Sequence, residues 1–277
     1  MVYLNGEFID KADANISVMD RGFLFGDGVY EVIPVYNRQI FRLNPHLDRL
    51  QRSLDAVGIR NPYTNEQWQA LIERLTQHNA FDNQSIYLQI TRGIDSKRAH
   101  SAGALTPSVY IEANELTPRD QATLATGFAA ITRADLRWQR CDIKATSLLA
   151  NVMYSQEARS AGVEEVILHR ENRVTEGASS NVFIIKDGVL FTHPTGPYIL
   201  SGITRDLVLE SVKACQINIE ECGFSLEALL AADEVWISSS TREVMPITTI
   251  DGQVINQGQV GHCWQQVYEH YQQLKHA

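Results

Sequence analysis

Two short stretches set the class of fold that this chain can adopt: Arg140-Cys141-Asp142-Ile143-Lys144 and Val174-Thr175-Glu176-Gly177-Ala178-Ser179-Ser180-Asn181. The first supplies the amine of Lys144, and the second supplies the carboxylate of Glu176. A pyridoxal cofactor needs both groups, because an amine joins its aldehyde as a Schiff base and a carboxylate keeps its pyridine nitrogen protonated. The pairing therefore predicts an enzyme in which electrons from a broken substrate bond drain into a pyridoxal ring.

The length and charge of the chain limit what it can bind. With 277 residues it can bury a large core, and we expect one or two domains, with two favoured. Its 33 acidic and 24 basic side chains give a net charge of −9, which repels polyanions and argues against a nucleic-acid partner. A small anionic ligand would therefore need local arginines, hydroxyls or helix N-termini.

Cysteine usage and hydropathy predict a soluble, cytoplasmic protein. The four cysteines include no Cys-x-x-Cys pair and we expect no signal peptide, which favours reduced thiols and argues against a metal site. No apolar run approaches the roughly 18 residues of a membrane-spanning helix, so no membrane partner is expected.

The first part of the chain has the pattern of an α+β domain. Asn5-Gly6 lies between two short apolar runs and predicts a β-hairpin. Asn44-Pro45 predicts the N-cap and first turn of a helix that ends at Gly58. The other elements expected here are a helix over about 64–79 and strands over about 85–91 and 108–113.

The second part alternates strands and helices, which is typical of an α/β domain. Strands are expected over about 127–132, 165–169, 182–185, 189–192, 234–238 and 247–250, and helices over about 147–161, 204–214, 226–231 and 260–274. We therefore predict an α/β fold with an N-terminal α+β domain over 1–116, an interdomain linker over 117–123 and a C-terminal, cofactor-binding α/β domain over 124–277.

Lys144 and Glu176 each have a less specific alternative. Lys144 ends the strand-like stretch Cys141–Ile143 and precedes the Ala145–Ser147 cap of an apolar helix, but it could be a surface lysine at a strand end. Glu176 comes before a polar turn at the tip of a strand pair. It could face a pyridinium or be a turn carboxylate in water.

Three further groups could hold a phosphate. Gly202-Ile203-Thr204-Arg205 combines a glycine with the start of a helix, whose free N–H groups suit an anion. Ser238-Ser239-Ser240-Thr241 adds hydroxyls after an apolar strand, although such runs are also simple caps or turns. Arg49 lies off the apolar stripe of its helix and could reach a phosphate or pair with Asp48 or Asp55.

Arg98-Ala99-His100 is the most discriminating feature for a substrate. In an extended loop, residues i and i+2 project to the same side, so a guanidinium and an imidazole could together bind one carboxylate. A solvated loop is the alternative.

Several long motifs follow one another along the chain: Asp20–Gly22, Phe25–Glu31, His46–Leu50, Arg98–His100, Arg140–Lys144, Thr175–Asn181 and Gly202–Asp206. In this order they resemble the fold-type IV pyridoxal phosphate-dependent aminotransferase family, and within it the D-amino acid aminotransferases. The likeness spans nearly the whole sequence.

The resemblance implies pyridoxal 5′-phosphate as cofactor, with Lys144 as the Schiff-base lysine and Glu176 as the partner of the pyridine nitrogen. The residues that match the remaining cofactor contacts are Arg49, Ile203, Thr204, Ser239 and Ser240 at the phosphate and Leu200 against the ring. Tyr30, Arg98 and His100 match the trio that holds the substrate α-carboxylate. Because the latter two reach in from the neighbouring subunit, a homodimer is implied.

The activity implied by the resemblance is D-amino acid transamination, with D-alanine and D-glutamate as donors and pyruvate or 2-oxoglutarate as acceptors. The alternatives are an L-branched-chain aminotransferase, an aminodeoxychorismate lyase of the same fold, and a cofactor-binding protein without catalysis. The loop Gly93–Lys97 is one residue longer than in the relatives considered, which could aim Arg98 differently. Ser240 stands where threonine is common, and Ala178 replaces a serine.

Overall fold

The computed structural model describes residues 1–276 and divides the chain into two compact units. The first unit comprises Met1–Thr117 together with Ile143–Leu148, and the second comprises Pro118–Asp142 and the chain from Leu149 onward. The segment that carries Lys144 thus belongs to the first unit, although it follows residue 117 in sequence. The division expected from the sequence, 1–116 and 124–277 with a linker between them, placed this segment in the second domain.

The first unit is built on an antiparallel sheet. Its strands are β1 (Val2–Leu4), β2 (Glu7–Ile9), β3 (Gly28–Tyr36), β4 (Gln39–Ile40), β5 (Gln84–Thr91) and β6 (Ser108–Glu115). Its helices are α1 (Arg21–Phe25), α2 (Leu43–Val57) and α3 (Asn65–His78). The strand order is β2-β1-β6-β5-β3-β4. Alternate strand residues such as Ile33 and Ile86 are fully buried and share one apolar core with Leu50 and Leu54 of α2.

The second unit is built on a sheet that mixes parallel and antiparallel pairs. Its strands are β7 (Phe128–Ala134), β8 (Glu165–Arg170), β9 (Arg173–Gly177), β10 (Asn181–Lys186), β11 (Val189–Thr192), β12 (Asn218–Glu221), β13 (Glu234–Ser239), β14 (Glu243–Ile250) and β15 (Gln253–Val254). Its helices are α4 (Gln121–Ala125), α5 (Leu149–Ala161), α6 (Ile203–Ala214), α7 (Leu226–Leu230) and α8 (His262–His276). The strand order is β12-β11-β10-β13-β14-β7-β8-β9, with β15 paired to β14. The predicted α/β fold class is confirmed.

In the first unit the predicted hairpin turn is correct, whereas the predicted helix cap at Asn44 is not. The Asn5-Gly6 hairpin is confirmed, because β1 and β2 pair antiparallel on either side of it. Helix α3 begins with a capping box, in which Thr64 Oγ1 accepts from the Gln67 N–H at 3.4 Å and Gln67 Oε1 accepts from the Thr64 N–H at 2.8 Å. Helix α2, however, begins at Leu43 rather than after Asn44, because the Arg42 carbonyl already accepts from the His46 N–H at 3.4 Å.

The predicted strand over Cys141–Ile143 is wrong, because these residues form a turn. The backbone that follows pairs with β3 instead, where Ala145 bridges Val29. The next helix, α5, begins at Leu149 rather than Ser147. The hydroxyls of Thr146 and Ser147 are not at its start, since both donate to the Gly26 carbonyl at 2.9 Å.

None of the helices within residues 1–276 is long and apolar enough to span a membrane.

Candidate active site

Lys144 and Tyr30 are neighbours in the first unit. The Lys144 carbonyl accepts a hydrogen bond from the Tyr30 N–H at 3.0 Å, and the Lys144 N–H donates to Ser53 Oγ at 3.3 Å. These bonds fix an irregular segment to β3 and α2. The Lys144 Nζ lies 4.1 Å from the centroid of the Tyr30 ring, and both side chains are partly buried. The predicted cofactor amine and the predicted carboxylate-binding tyrosine therefore lie together.

Arg49 is buried and held in a two-pronged ion pair with Glu31 of β3. Arg49 Nε and Nη2 each donate to a different oxygen of Glu31, both at 2.7 Å, and His46 Nδ1 lies 2.8 Å from Glu31 Oε2. Burial alone would raise the pKa of Glu31, but the charge and hydrogen bonds of Arg49 outweigh it and hold that pKa well below its usual range. Glu31 is a partner that sequence reasoning had missed, since only Asp48 and Asp55 were considered.

Arg98 and His100 lie in an exposed loop of the first unit and contact the same aromatic ring. The Arg98 Cζ lies 4.9 Å from the centroid of the Phe25 ring, and the His100 and Phe25 ring centroids are 5.6 Å apart. Residues i and i+2 of this loop thus gather around Phe25 of α1.

Glu176 lies in β9 of the second unit, a strand that sequence reasoning did not delimit, and it is buried. Its Oε1 accepts from Arg137 Nη1 at 2.6 Å, and its Oε2 accepts from the Leu200 N–H at 2.9 Å and from Asn181 Nδ2 at 3.3 Å. Burial raises the pKa of Glu176 to about 7, although the Arg137 charge and the Leu200 N–H act to lower it. Glu176 is therefore a buried, hydrogen-bonded carboxylate and not a turn carboxylate in water.

Arg137 is itself fixed by Asp135, whose side chain is fully buried. Arg137 Nε donates to Asp135 Oδ1 and Nη2 donates to Oδ2, both at 2.9 Å, and Arg170 Nε donates to Oδ2 at 3.0 Å. Burial would raise the pKa of Asp135, but the hydrogen bonds and charges of the two arginines hold it below its usual range. The sequence analysis did not select Asp135 and Arg137. The signal available for this ion pair was an aspartate and an arginine two residues apart. Arg140 pairs locally with Asp142, with two N···O distances of 3.0 Å.

The start of helix α6 has the features of an anion site. Its N-cap residue, Gly202, has no side chain with which to cap the first N–H groups, which belong to Ile203 and Thr204. A Cβ at position 202 would lie 2.2 Å from Asn181 Oδ1, so a larger residue there would have to displace the Asn181 side chain. The same Asn181 donates to the Leu200 carbonyl at 2.8 Å, which ties this helix start to the Glu176 carboxylate.

The serine run lies at the end of β13 in the second unit. Ser239 is the last strand residue and Ser240 is in the turn that follows. Arg242 Nε donates to Ser239 Oγ at 3.3 Å, and its Nη2 donates to Ser179 Oγ at 2.8 Å. Ser238 Oγ is buried and has no hydrogen-bond partner among residues 1–276. The turn thus offers hydroxyl groups beside a fixed guanidinium.

Within the described chain, 1–276, no cluster of three or more His, Cys, Asp or Glu residues could hold a metal ion.

Comparison with known proteins identifies the family. A sequence model of the family described as amino-transferase class IV matches residues 28–250. The chain belongs to the class IV aminotransferases. Pyridoxal 5′-phosphate is the cofactor of this family, and the chain is a pyridoxal phosphate-dependent aminotransferase.

Curated relatives match almost the full chain. The D-alanine aminotransferase of Listeria monocytogenes (strain 10403S) is 40% identical over 272 residues, which cover 98% of this chain and 94% of the relative. The D-alanine aminotransferase of Staphylococcus epidermidis (strain RP62A) is 42% identical over 271 residues, which cover 98% of this chain and 96% of the relative.

Solved structures of branched-chain aminotransferases have the same fold. The Escherichia coli enzyme matches with a TM-score of 0.89 at 27% identity, and the match covers 97% of this chain and 92% of the E. coli chain. The enzyme of Thermoproteus uzoniensis with norvaline matches with a TM-score of 0.88 at 31% identity. The match covers 98% of this chain and 93% of the T. uzoniensis chain. These similarities confirm the predicted fold-type IV architecture.

Proposed function

We propose that this aminotransferase moves amino groups between D-amino acids and 2-oxo acids, with D-alanine and D-glutamate as donors and pyruvate or 2-oxoglutarate as acceptors. The observation that carries the proposal is the 39–42% identity to enzymes named D-alanine aminotransferase over 98% of the chain. The grouping of Arg98 and His100 around Phe25 supports it, because two cationic or hydrogen-bonding side chains on one side of a loop suit an α-carboxylate.

The residues near Lys144 and Glu176 fit the cofactor. When bound, pyridoxal 5′-phosphate supplies an electron sink for the bond broken at the substrate α-carbon. In the proposal, Lys144 Nζ would hold the cofactor and, as a free amine, would take the proton from the substrate α-carbon onto Nζ. Glu176 would accept a hydrogen bond from the protonated pyridine nitrogen. A carboxylate has about four acceptor positions, so the Arg137, Leu200 and Asn181 donors leave room for a further one.

The phosphate group has two candidate anchors. Arg49 supplies a guanidinium whose orientation is set by Glu31. The uncapped start of helix α6 at Ile203 and Thr204 supplies backbone N–H groups and the positive end of a helix dipole. We assign Ser239 and Ser240 to the same phosphate and Leu200 to packing against the ring.

In the proposal, Tyr30 holds the substrate carboxylate together with Arg98 and His100 of the neighbouring subunit. The proposed enzyme is a cytoplasmic homodimer. An apolar stripe on α5 supports self-association, because Leu149, Val152 and Met153 are 75%, 60% and 59% exposed at helical spacing.

The second candidate is a branched-chain aminotransferase acting on L-amino acids. It is favoured by the solved structures of that name, with TM-scores of 0.89 and 0.88. Their identities of 27% and 31% are lower than those of the D-alanine aminotransferases, so we rank this candidate second.

A substrate panel separates the candidates. Purified protein loaded with pyridoxal 5′-phosphate is incubated with D- and L-alanine, glutamate or leucine and a 2-oxo acid, and keto acid formation is measured. We expect pyruvate from D-alanine with 2-oxoglutarate as acceptor. Turnover of L-leucine without D-alanine would instead establish the second candidate. Pyruvate release from aminodeoxychorismate without amino transfer would point to a lyase.

A further inference from the structure

The loop that carries Arg98 and His100 has no regular secondary structure of its own. Both side chains are exposed, as are those of Ser96 and Lys97. Irregular surface loops are generally mobile, whereas a binding site must hold its groups close to the productive geometry. Something outside the loop must therefore fix these two residues.

Arg21, the first residue of α1, fixes the backbone of this loop. Its guanidinium is buried and donates through Nη1 to the Ala99 carbonyl at 2.6 Å and through Nη2 to the His100 carbonyl at 2.8 Å. Its Nε donates to Asp27 Oδ2 at 2.8 Å, which sets the orientation of the fork. The Arg21 side chain thus binds the backbone at the two residues that follow Arg98.

The start of the loop is attached to the same residue. The Arg21 backbone N–H donates to the Gly93 carbonyl at 2.9 Å, and Asp95 forms a longer ion pair with the Arg21 guanidinium at 3.8 Å. Gly93 has a φ of +105°, and a Cβ there would lie 1.9 Å from the Thr106 carbonyl oxygen, so its backbone conformation requires glycine. The longer stretch Gly93–Lys97 is therefore anchored at its base.

Phe25, one helical turn after Arg21, fixes the side chains. Arg98 Cζ and Arg21 Cζ each lie 4.9 Å from the Phe25 ring centroid, and the His100 ring lies at 5.6 Å with an interplanar angle of 59°. Contact between a guanidinium and an aromatic ring uses none of the N–H donors, so Arg98 keeps them for a carboxylate.

We infer that Arg21 and Phe25 are positioning residues that preorganise Arg98 and His100 for the substrate carboxylate. The inference rests on the proposed function, since it assumes that Arg98 and His100 bind that carboxylate. Arg21 holds the loop backbone, Phe25 holds the two side chains, and neither needs to touch the substrate. The amino acid and the 2-oxo acid both carry a carboxylate, so replacing Arg21 or Phe25 should weaken the binding of both.

The substitution Phe25→Leu tests the ring, with Phe23→Leu as matched control. Phe23 is on the same short helix but is 67% exposed. Loss of the contacts with Arg98 and His100 should raise KM for D-alanine and for pyruvate about three- to tenfold, in line with the usual strength of such ring contacts. We expect kcat within about twofold and an unchanged visible absorption of the bound cofactor, since the proposed binding groups Lys144 and Glu176 are untouched.

The substitution Arg21→Lys tests the backbone anchor by a measurement that does not need activity. A lysine keeps the charge but cannot donate a fork to two carbonyls. Amide hydrogen exchange over residues 96–102 should therefore become faster in R21K than in wild type, and should stay unchanged in F23L.

The outcomes separate this inference from the proposed function. If wild type does not turn over D-alanine, the proposed substrate is wrong, but hydrogen exchange in R21K still tests the anchor. If wild type is active and KM is equal in F25L and F23L, Phe25 does not position the pair. Unchanged exchange in R21K overturns the role of Arg21. An equal loss of kcat in F25L and F23L, with cofactor absorption lost, would show a structural role only.

Discussion

Arg137 donates from Nη1 to Glu176 Oε1 over 2.6 Å, and both side chains are buried in the second unit. The charge state of Glu176 therefore depends on burial, which raises its pKa, and on Arg137, which lowers it and which Asp135 holds in place through its other nitrogens. Because the proposed role of Glu176 is to face a protonated pyridine nitrogen, this ion pair connects the fold of the second unit to the chemistry of the cofactor.

Replacing Arg137 with glutamine should impair catalysis most at low pH. Burial already raises the pKa of Glu176 to about 7, and removal of the nearby positive charge should raise it further. More of the carboxyl is then protonated at neutral pH, so we expect kcat at pH 7 to fall by about tenfold or more, with partial recovery as the pH rises. The measurement is kcat against pH.

The control for this experiment is Arg140→Gln. Arg140 is 48% exposed and pairs only locally with Asp142, so its loss should leave the pH profile unchanged. Equal profiles for R137Q and wild type would contradict the dependence of Glu176 on Arg137.

Glu176 should also make the cofactor-free protein less stable as the pH rises from about 4.5 to about 7. The folded pKa of about 7 lies above the unfolded value of 4.5, so the folded state favours the protonated carboxyl. The stability that the protonated Glu176 carboxyl contributes to the folded state is fully present below pH 4.5 and is lost as the pH rises through about 7. Between pH 5 and pH 8, wild type should lose up to about 3 kcal/mol of unfolding free energy relative to Glu176→Gln. Urea unfolding of both proteins at the two pH values measures this, and parallel behaviour would refute it.

Much of the fold could be predicted because its signals are local. The Asn5-Gly6 turn is set by neighbouring residues and was found at the expected position. The helix expected over about 64–79 was found as well, with Thr64 as its N-cap. The turn at Cys141–Ile143 could not be predicted, because the backbone directly after it, at Lys144 and Ala145, pairs with β3, which is distant in sequence. The same long-range pairing carries Lys144 into the first unit.

In the candidate site, too, the contacts between residues distant in sequence could not be predicted. Lys144, Glu176 and Arg49 were found from residue type and motif order, but their partners were not. Glu31 precedes Arg49 by 18 positions and Arg137 precedes Glu176 by 39, so each pair meets only in the folded chain. A buried carboxylate can be paired with many arginines in a sequence, and only the fold selects one.

Replacing Glu31 with glutamine should both destabilise the protein and weaken cofactor binding. The substitution leaves the buried Arg49 charge without its carboxylate, and breaking a buried ion pair typically costs about 3–5 kcal/mol. Because the pKa of Glu31 is depressed, its contribution exists above the unfolded value of 4.5 and declines as the pH falls below it. The gap in unfolding free energy between wild type and E31Q should therefore narrow below pH 4.5.

Cofactor affinity provides the second measurement on E31Q. If Glu31 orients Arg49 toward the phosphate, the Kd for pyridoxal 5′-phosphate should rise about tenfold or more, the usual scale for a residue that orients a ligand-binding group. Asp82→Asn, which removes an exposed pair with Arg38, should change stability by less than about 1 kcal/mol and leave Kd unchanged. An unaltered Kd in E31Q would remove Arg49 from the phosphate site.

Substitution of Arg98 by alanine should separate substrate binding from cofactor binding. We expect KM for D-alanine to rise about tenfold or more, because a charge-assisted hydrogen bond to the carboxylate is lost, while the cofactor stays bound. Lys97→Ala is the matched control, since it removes a neighbouring exposed cation from the same loop. If both variants kept the KM of wild type, the carboxylate would bind elsewhere.

Identification of the lysine that binds the cofactor tests the central claim most directly. The holoprotein is reduced with borohydride and digested, and the peptide that carries the pyridoxyl group is sequenced. The chain has six lysines to choose from: Lys11, Lys97, Lys144, Lys186, Lys213 and Lys275. We predict that the label lies on Lys144 alone; a label on any of the other five, or no label at all, would contradict the account.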